Sequence, residues 1–236
     1  MTCYLFDIDN TLTPPRQKMH SHFNWFFLQW MKDKEVYLVG GSDQKKIETQ
    51  LPASIISHCR GIFSSMGNQF KFEKNLVYTN DWQIPFSLNR DLEKFVESSA
   101  YQYKTSNHIE KRIGMVNFSV AGRDSNLEQR QAYNDWDDEH EERKKIVKYI
   151  ESKYHKVEAK IGGQISIDIF PKGRDKSQAS KWVRQNVSED IVFIGDQCGV
   201  GGNDFAIYKD VTINGGRAYE VSGFSETQKI LEQNYS

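Results

Sequence analysis

The segment YLFDIDNTLT, Tyr4–Thr13, places two aspartates, Asp7 and Asp9, one residue apart at the end of an apolar run. On an extended strand end both side chains point to the same side. Carboxylates that close repel each other unless a divalent cation neutralises them or one of them holds a proton. Magnesium is the natural cation, because it is hard and takes carboxylate and phosphate oxygens together. A carboxylate can also attack phosphorus as a nucleophile. A second acid two residues on can then exchange a proton with the leaving or entering oxygen. An isolated pair would equally suit a turn in which one acid caps a helix, so the rest of the chain has to decide.

Other apolar runs end in the same manner. Val36–Val39 leads into Gly40-Gly41-Ser42-Asp43, Ile191–Ile194 into Gly195-Asp196, and Val211–Ile213 into Asn214-Gly215-Gly216. Unbroken runs rich in β-branched residues suit parallel strands covered on both faces. Helical stretches lie between several of them, at His22–Lys32, Asp43–Leu51 and Ser177–Asn186. The pattern predicts a doubly wound α/β sheet, whose ligands gather beyond the carboxyl ends of the strands. Asp7, Ser42 and Asp196 all fall there.

The middle of the chain follows another rule. Met115–Val120 and Gln164–Ile169 read as half-buried strands, the second with Ile165, Ile167 and Ile169 on one side and Gln164, Ser166 and Asp168 on the other. An antiparallel sheet with one exposed polar face is expected. Ser125-Asn126-Leu127-Glu128 fits a helix capping box. From Asp135 to Tyr154 acids come first and Arg143, Lys144, Lys145 and Lys148 follow, which fits a solvated helix face. The expected organisation is a doubly wound core, 1–77 with 175–236, interrupted by an α+β cap at 78–174 built on an antiparallel sheet.

Composition narrows the class. The 236 residues carry a formal net charge of -1, so no basic field points to nucleic acid or to an anionic membrane as a partner. Cys3, Cys59 and Cys198 are scattered and form no CxxC, which argues against a disulfide framework or a zinc site. Reduced thiols fit the cytosol. The apolar window FNWFFLQWM is too short to span a bilayer, and acids arrive by Asp7, before any signal-peptide core could form. A soluble cytoplasmic protein is expected.

DIDNTLT resembles the DxDxT signature of the haloacid dehalogenase (HAD) superfamily of phosphotransferases, and Ser42, Lys176 and Asp196 match its other motifs in order. The stretches LFDIDNTLTPPRQK, VGGSD, RIGMVNFSVAGR, IGGQISIDIFPKGRDK and GDQCGVGGND narrow the likeness to the eukaryotic-type phosphomannomutases, over nearly the whole chain. That resemblance implies interconversion of mannose 6-phosphate and mannose 1-phosphate through an aspartyl-phosphate, feeding GDP-mannose synthesis. The substrate is a hexose monophosphate, and glucose 1,6-bisphosphate or mannose 1,6-bisphosphate is the activator. Asp7 would be the nucleophile, Asp9 the acid/base and Lys176 the cation at the reacting phosphate. Arg16 and Ser42 would contact a substrate phosphate. Arg112, Arg123 and Arg130 would grip the phosphate at the far end of the sugar, where planar guanidinium forks suit it better than lysine does. Ser166 and Asp168 would hydrogen-bond the sugar or its phosphate. Mg²⁺ would be held by Asp7, the backbone carbonyl of Asp9 and Asp196, with Asp204 close behind, and a second cation near Tyr208, Asp210 and Thr212.

The family tends to pair through its caps; Trp82, Tyr101 and Tyr103 fit either such a homodimer contact or the cap's own core. Three departures stand out. Asn10 occupies a position that is usually glycine, Ser65-Met66-Gly67 replaces Glu-Asn-Gly, and Ile113 replaces an asparagine. The same core motifs would also serve a sugar-phosphate phosphatase, and the departures alone would suit a non-catalytic sugar-phosphate-binding relative.

Overall fold

The structure is a computed structural model and describes residues 1–235. Chain order runs β1 (Cys3–Phe6), α1 (Ser21–Trp30), β2 (Glu35–Val39), α2 (Gln44–Gln50), α3 (Ala53–His58), β3 (Gly61–Ser64), β4 (Gln69–Phe72) and β5 (Asn75–Thr79). Then come α4 (Phe86–Ser98), β6 (Ile109–Arg112), β7 (Met115–Phe118), α5 (Leu127–His140), α6 (Glu142–Lys153), β8 (Val157–Gly162) and β9 (Ser166–Pro171). The chain closes with α7 (Ser177–Asn186), β10 (Ile191–Gly195), α8 (Phe205–Ile213), β11 (Arg217–Glu220) and α9 (Phe224–Asn234). It divides into two compact units, one of Met1–Thr79 with the residues from Arg174 onward, the other of Asn80–Gly173. The limits expected from the sequence stand at 77/78 and 174/175. Among the described residues no helix is long and apolar enough to cross a membrane.

The first unit is built on one sheet in the order β11-β10-β1-β2-β3-β4-β5. Its first four contacts are parallel and its last two antiparallel. The apolar runs read as strands because both of their faces are covered. Tyr4, Phe6, Val36, Leu38, Val192 and Ile194 pack on one side with Phe23 and Phe27 of α1 and Leu231 of α9. Cys3, Leu5, Tyr37, Val39 and Phe193 pack on the other with Ala179 and Val183 of α7 and Ile207 and Val211 of α8. This is the expected doubly wound α/β architecture.

One expected strand is absent. Val211–Ile213 forms the last turn of α8, because Ile207 and Val211, four residues apart, bury the same helix face. The strand at that edge is β11, reached through Gly215 at φ +81 and Gly216, where a Cβ would stand 2.7 Å from the Ile191 carbonyl oxygen.

The second unit carries an antiparallel sheet, β6-β7-β9-β8. Val116, Phe118, Ile165, Ile167 and Ile169 form its core with Leu88 and Leu92 of α4, Tyr133 of α5, and Ile146 and Ile150 of α6. Trp82 and Tyr101 belong to this core, whereas Tyr103 is exposed. Three expectations change here. The polar face of β9 is covered rather than exposed, since Ser166 and Asp168 are both buried. The capping box sits one residue later: Asn126 accepts from the Gln129 N–H and the Gln129 side chain accepts from the Asn126 N–H, each at 2.9 Å. The charge run Asp135–Tyr154 breaks at Glu141, which adopts φ 53. There the buried Asp137 accepts from the Arg143 N–H at 2.8 Å and from its Nε at 2.6 Å, so Arg143 closes a corner instead of facing solvent.

The switch from parallel to antiparallel pairing at β3 is held by Phe63, which faces Phe70 in register with ring centroids 3.8 Å apart. Phe63→Ala is expected to cost about 3–5 kcal/mol of stability, read as a lowered denaturant midpoint with an unchanged slope.

Candidate active site

β1, β2 and β10 are parallel, so the residues that follow them share one edge of the first unit's sheet. Asp7 follows β1, Ser42 lies in the β2–α2 loop and Asp196 follows β10. The Asp7, Asp196 and Asp204 carboxylates come within 4.8 Å of one another. Lys176, immediately before α7 and 1% exposed, donates from Nζ to Asp7 Oδ1 and Asp204 Oδ1, both at 2.6 Å. Asp204 also accepts from the Gln197 N–H. Its approach requires glycine at 195, where a Cβ would lie 2.8 Å from Asp204 Oδ2.

Three carboxylates around one ammonium leave the cluster short of positive charge. Burial raises the Asp7 pKa well above the usual carboxylate range; Lys176 pulls it back, while Asp204 and Asp196 add to the rise. Burial, reinforced by Asp204, pushes Asp196 up to about 7. Burial lowers the Lys176 pKa, but Asp204 and Asp7 outweigh it and hold the ammonium charged. The donor set is all oxygen, the kind that hard divalent cations take.

Asp9 does not join this cluster. Its Oδ1 accepts from the Arg16 N–H at 2.6 Å and from Gln50 Nε2 at 2.8 Å. Asn10 turns the chain at φ 59, and its side chain hydrogen-bonds Asp196. Asparagine tolerates this left-handed conformation better than most residues, so the position works without glycine. Ser65, Met66 and Gly67, at φ 51, 62 and 84, form a buried left-handed run. Its N–H groups pin the loop before α2: Ser65 donates to the Ser42 carbonyl and Met66 to that of Gly40.

Tyr208, Asp210 and Thr212 do not fit a cation. They lie on α8, where the Thr212 hydroxyl donates to the Tyr208 carbonyl. The Asp210 carboxylate accepts from the Ser180 hydroxyl at 2.6 Å and from Arg184 Nη2 at 2.8 Å. A guanidinium already neutralises the acid.

In the second unit the structure brings Arg112, Arg123, Arg130, Ser166 and Asp168 into one network. Glu110 accepts from Arg112 Nε at 2.6 Å and from Arg123 Nε at 2.9 Å. Arg123 Nη1 donates to Ser166 Oγ at 2.6 Å, and Asp168 accepts from Asn117 at 2.6 Å. Arg130 differs from the other two arginines, because its Nε and Nη2 donate to the Ser125 and Arg123 carbonyls. Gln50, Glu110 and Asn117 are additions to the residues singled out from sequence. Asn117 falls within the quoted stretch RIGMVNFSVAGR, while no local motif marks Gln50 or Glu110.

The family model for eukaryotic phosphomannomutase matches residues 24–236. The chain belongs to the eukaryotic phosphomannomutases. Phosphomannomutase 1 of Dictyostelium discoideum is 30% identical over 241 residues, covering 98% of this chain and 96% of that protein. The phosphomannomutase of Galdieria sulphuraria is 32% identical over 244 residues, covering 98% and 94%. Among solved structures, an IMP-nucleotidase of Plasmodium falciparum superposes with a TM-score of 0.62 at 15% identity, covering 98% of this chain and 67% of that one. A HAD subclass IIB sugar phosphatase superposes with a TM-score of 0.59 at 15% identity, covering 98% of both chains. Both share the fold of this phosphomannomutase family member.

The raised carboxylate pKa values have a signed consequence for the metal-free chain. Asp7 and Asp196 bind protons more tightly folded than unfolded, so from about pH 4 to about pH 7 the folded state holds more protons and stability falls as pH rises. Melting in the presence of a chelator is expected to occur at a lower temperature at about pH 8 than at about pH 5.5. Added Mg²⁺ should raise it more at the higher pH, where the acids are ionised.

Proposed function

We propose that this chain is a Mg²⁺-dependent phosphomannomutase that interconverts mannose 6-phosphate and mannose 1-phosphate through an aspartyl-phosphate on Asp7, supplying mannose 1-phosphate for GDP-mannose synthesis. The observation that carries the reading is Asp7 itself, held by the buried Lys176 ammonium inside a three-carboxylate cluster. The cycle starts from glucose 1,6-bisphosphate or mannose 1,6-bisphosphate. A carboxylate oxygen of Asp7 bonds to phosphorus as the bond from phosphorus to the sugar oxygen breaks, and Asp9 gives that oxygen a proton. Asp9 suits this work, because Arg16 and Gln50 orient it through Oδ1. A mannose monophosphate then offers its free hydroxyl: Asp9 takes the hydroxyl proton, the bond from phosphorus to Asp7 breaks and the sugar becomes a 1,6-bisphosphate. The bisphosphate turns end for end without leaving, Asp7 takes its other phosphoryl group, and Asp9 returns the proton to the oxygen freed, so the isomeric monophosphate is released.

Lys176 offsets negative charge at the transferred group, where phosphoryl transfer asks mainly for positioning and electrostatics. Asp7, the backbone carbonyl of Asp9 and Asp196 would hold Mg²⁺, with Asp204 close behind, and the ion would supply charge neutralisation to phosphate oxygens. Ser42 contacts the same phosphate, as does Arg16. The second unit serves the other phosphate position of the hexose through Arg112 and Arg123, with Ser166 and Asp168 beside them. Two further parts of the reading are a cytoplasmic location, supported by the free thiols of Cys3, Cys59 and Cys198, and a homodimer through the second unit, supported by the exposed Phe86 and Tyr103.

The test feeds mannose 1-phosphate with a trace of glucose 1,6-bisphosphate and measures mannose 6-phosphate against free phosphate. Mannose 6-phosphate is expected to dominate, and Asp7→Asn is expected to bring turnover below detection. Dominant phosphate release would make the chain a phosphatase, and full activity in Asp7→Asn would remove the nucleophile assignment.

A further inference from the structure

We propose that Glu110 is the positioning residue of the second unit's arginine pair, a single carboxylate that sets both Arg112 and Arg123 for the substrate phosphate remote from Asp7. The inference rests on the mutase reading above and adds to it a residue that no motif marks. Glu110 lies on β6 opposite Asn117 of β7, and Asn117 lies opposite Asp168 of β9. A polar row therefore crosses one face of the sheet. Arg112, two residues along β6 from Glu110, projects from that same face. Arg123 arrives from the loop after β7, where Arg130 fastens the backbone through the Arg123 and Ser125 carbonyls.

Each guanidinium donates its Nε–H to Glu110, while Arg112 Nη1 also stands 4.0 Å from Asp168 Oδ1. The arginine side chains are 4% exposed, so the carboxylate keeps two nearly buried cations close together that would otherwise repel. Burial opposes ionisation of Glu110, but Arg112 and Arg123 hold its pKa down at about 2. The carboxylate is thus charged at every pH at which the enzyme would be assayed.

Glu110 is also an anion beside an anion site, and that gives the test its sign. If it merely competed with the phosphate, removing its charge would tighten binding. If it positions the arginines, removing the charge releases them and weakens binding. In the mannose 1-phosphate assay with glucose 1,6-bisphosphate, Glu110→Gln is expected to raise KM about tenfold, with a smaller fall in kcat. Glu110→Asp, which keeps the charge on a shorter arm, should fall between Glu110→Gln and the parent enzyme. It also provides the measurement should Glu110→Gln fail to fold. An unchanged or lowered KM in the folded variants overturns the proposal. Loss of kcat and melting temperature together, without a change in KM, also overturns it and makes Glu110 structural.

Calorimetric titration with mannose 1-phosphate separates this proposal from the mutase reading. If the parent protein binds the sugar phosphate without turnover and Glu110→Gln weakens that binding, the positioning role stands and the mutase reading falls. If the parent protein does not bind it, both fall.

Discussion

An ammonium shut away from water between two carboxylates is the constraint on which the first unit depends. Lys176 is fully surrounded, and removing one partner of such a buried pair strands a charge at a cost of about 3–5 kcal/mol. Satisfying it draws together residues from three distant parts of the chain, at 7, 176 and 204. The sheet makes this possible, because parallel strands carry their trailing loops to one edge. Once assembled, the cluster still lacks positive charge, which is the condition under which a divalent cation and a phosphate both find a place.

Much of this was legible in the sequence, and the reasons it was legible are physical. The runs before Asp7, Ser42 and Asp196 are apolar without alternation, as strands covered on both faces must be, and the acids or hydroxyl that follow them cannot continue the core. What escaped was anything settled by which particular side chains pack or pair, whether one turn away or far along the chain. Val211–Ile213 has the β-branched composition of a strand, yet Ile207 one turn earlier turns it into a helix face. Glu141 looks like one more acid in a charged helix, and only the Asp137–Arg143 pair shows the corner there. Gln50 meets Asp9 across 41 positions, and Glu110 meets Arg123 across 13. Ordinary polar residues at such separations leave no spacing to read.

Two of the three departures from the family pattern are held by their backbone conformation. Asn10 and the run Ser65-Met66-Gly67 occupy left-handed backbone regions, which cost non-glycine residues free energy and persist only where the surroundings impose them. Here the surroundings do so. Asn10 returns a side-chain hydrogen bond to Asp196, and the buried tripeptide donates two N–H groups to the loop that carries Ser42.

The contact between Asp210 and Arg184 has an implication for ionic surroundings. A counter-ion tethered by covalent bonds cannot be stripped by a chelator, exchanged for another element or diluted away. The α7–α8 corner of this chain therefore carries its own counter-charge within the fold.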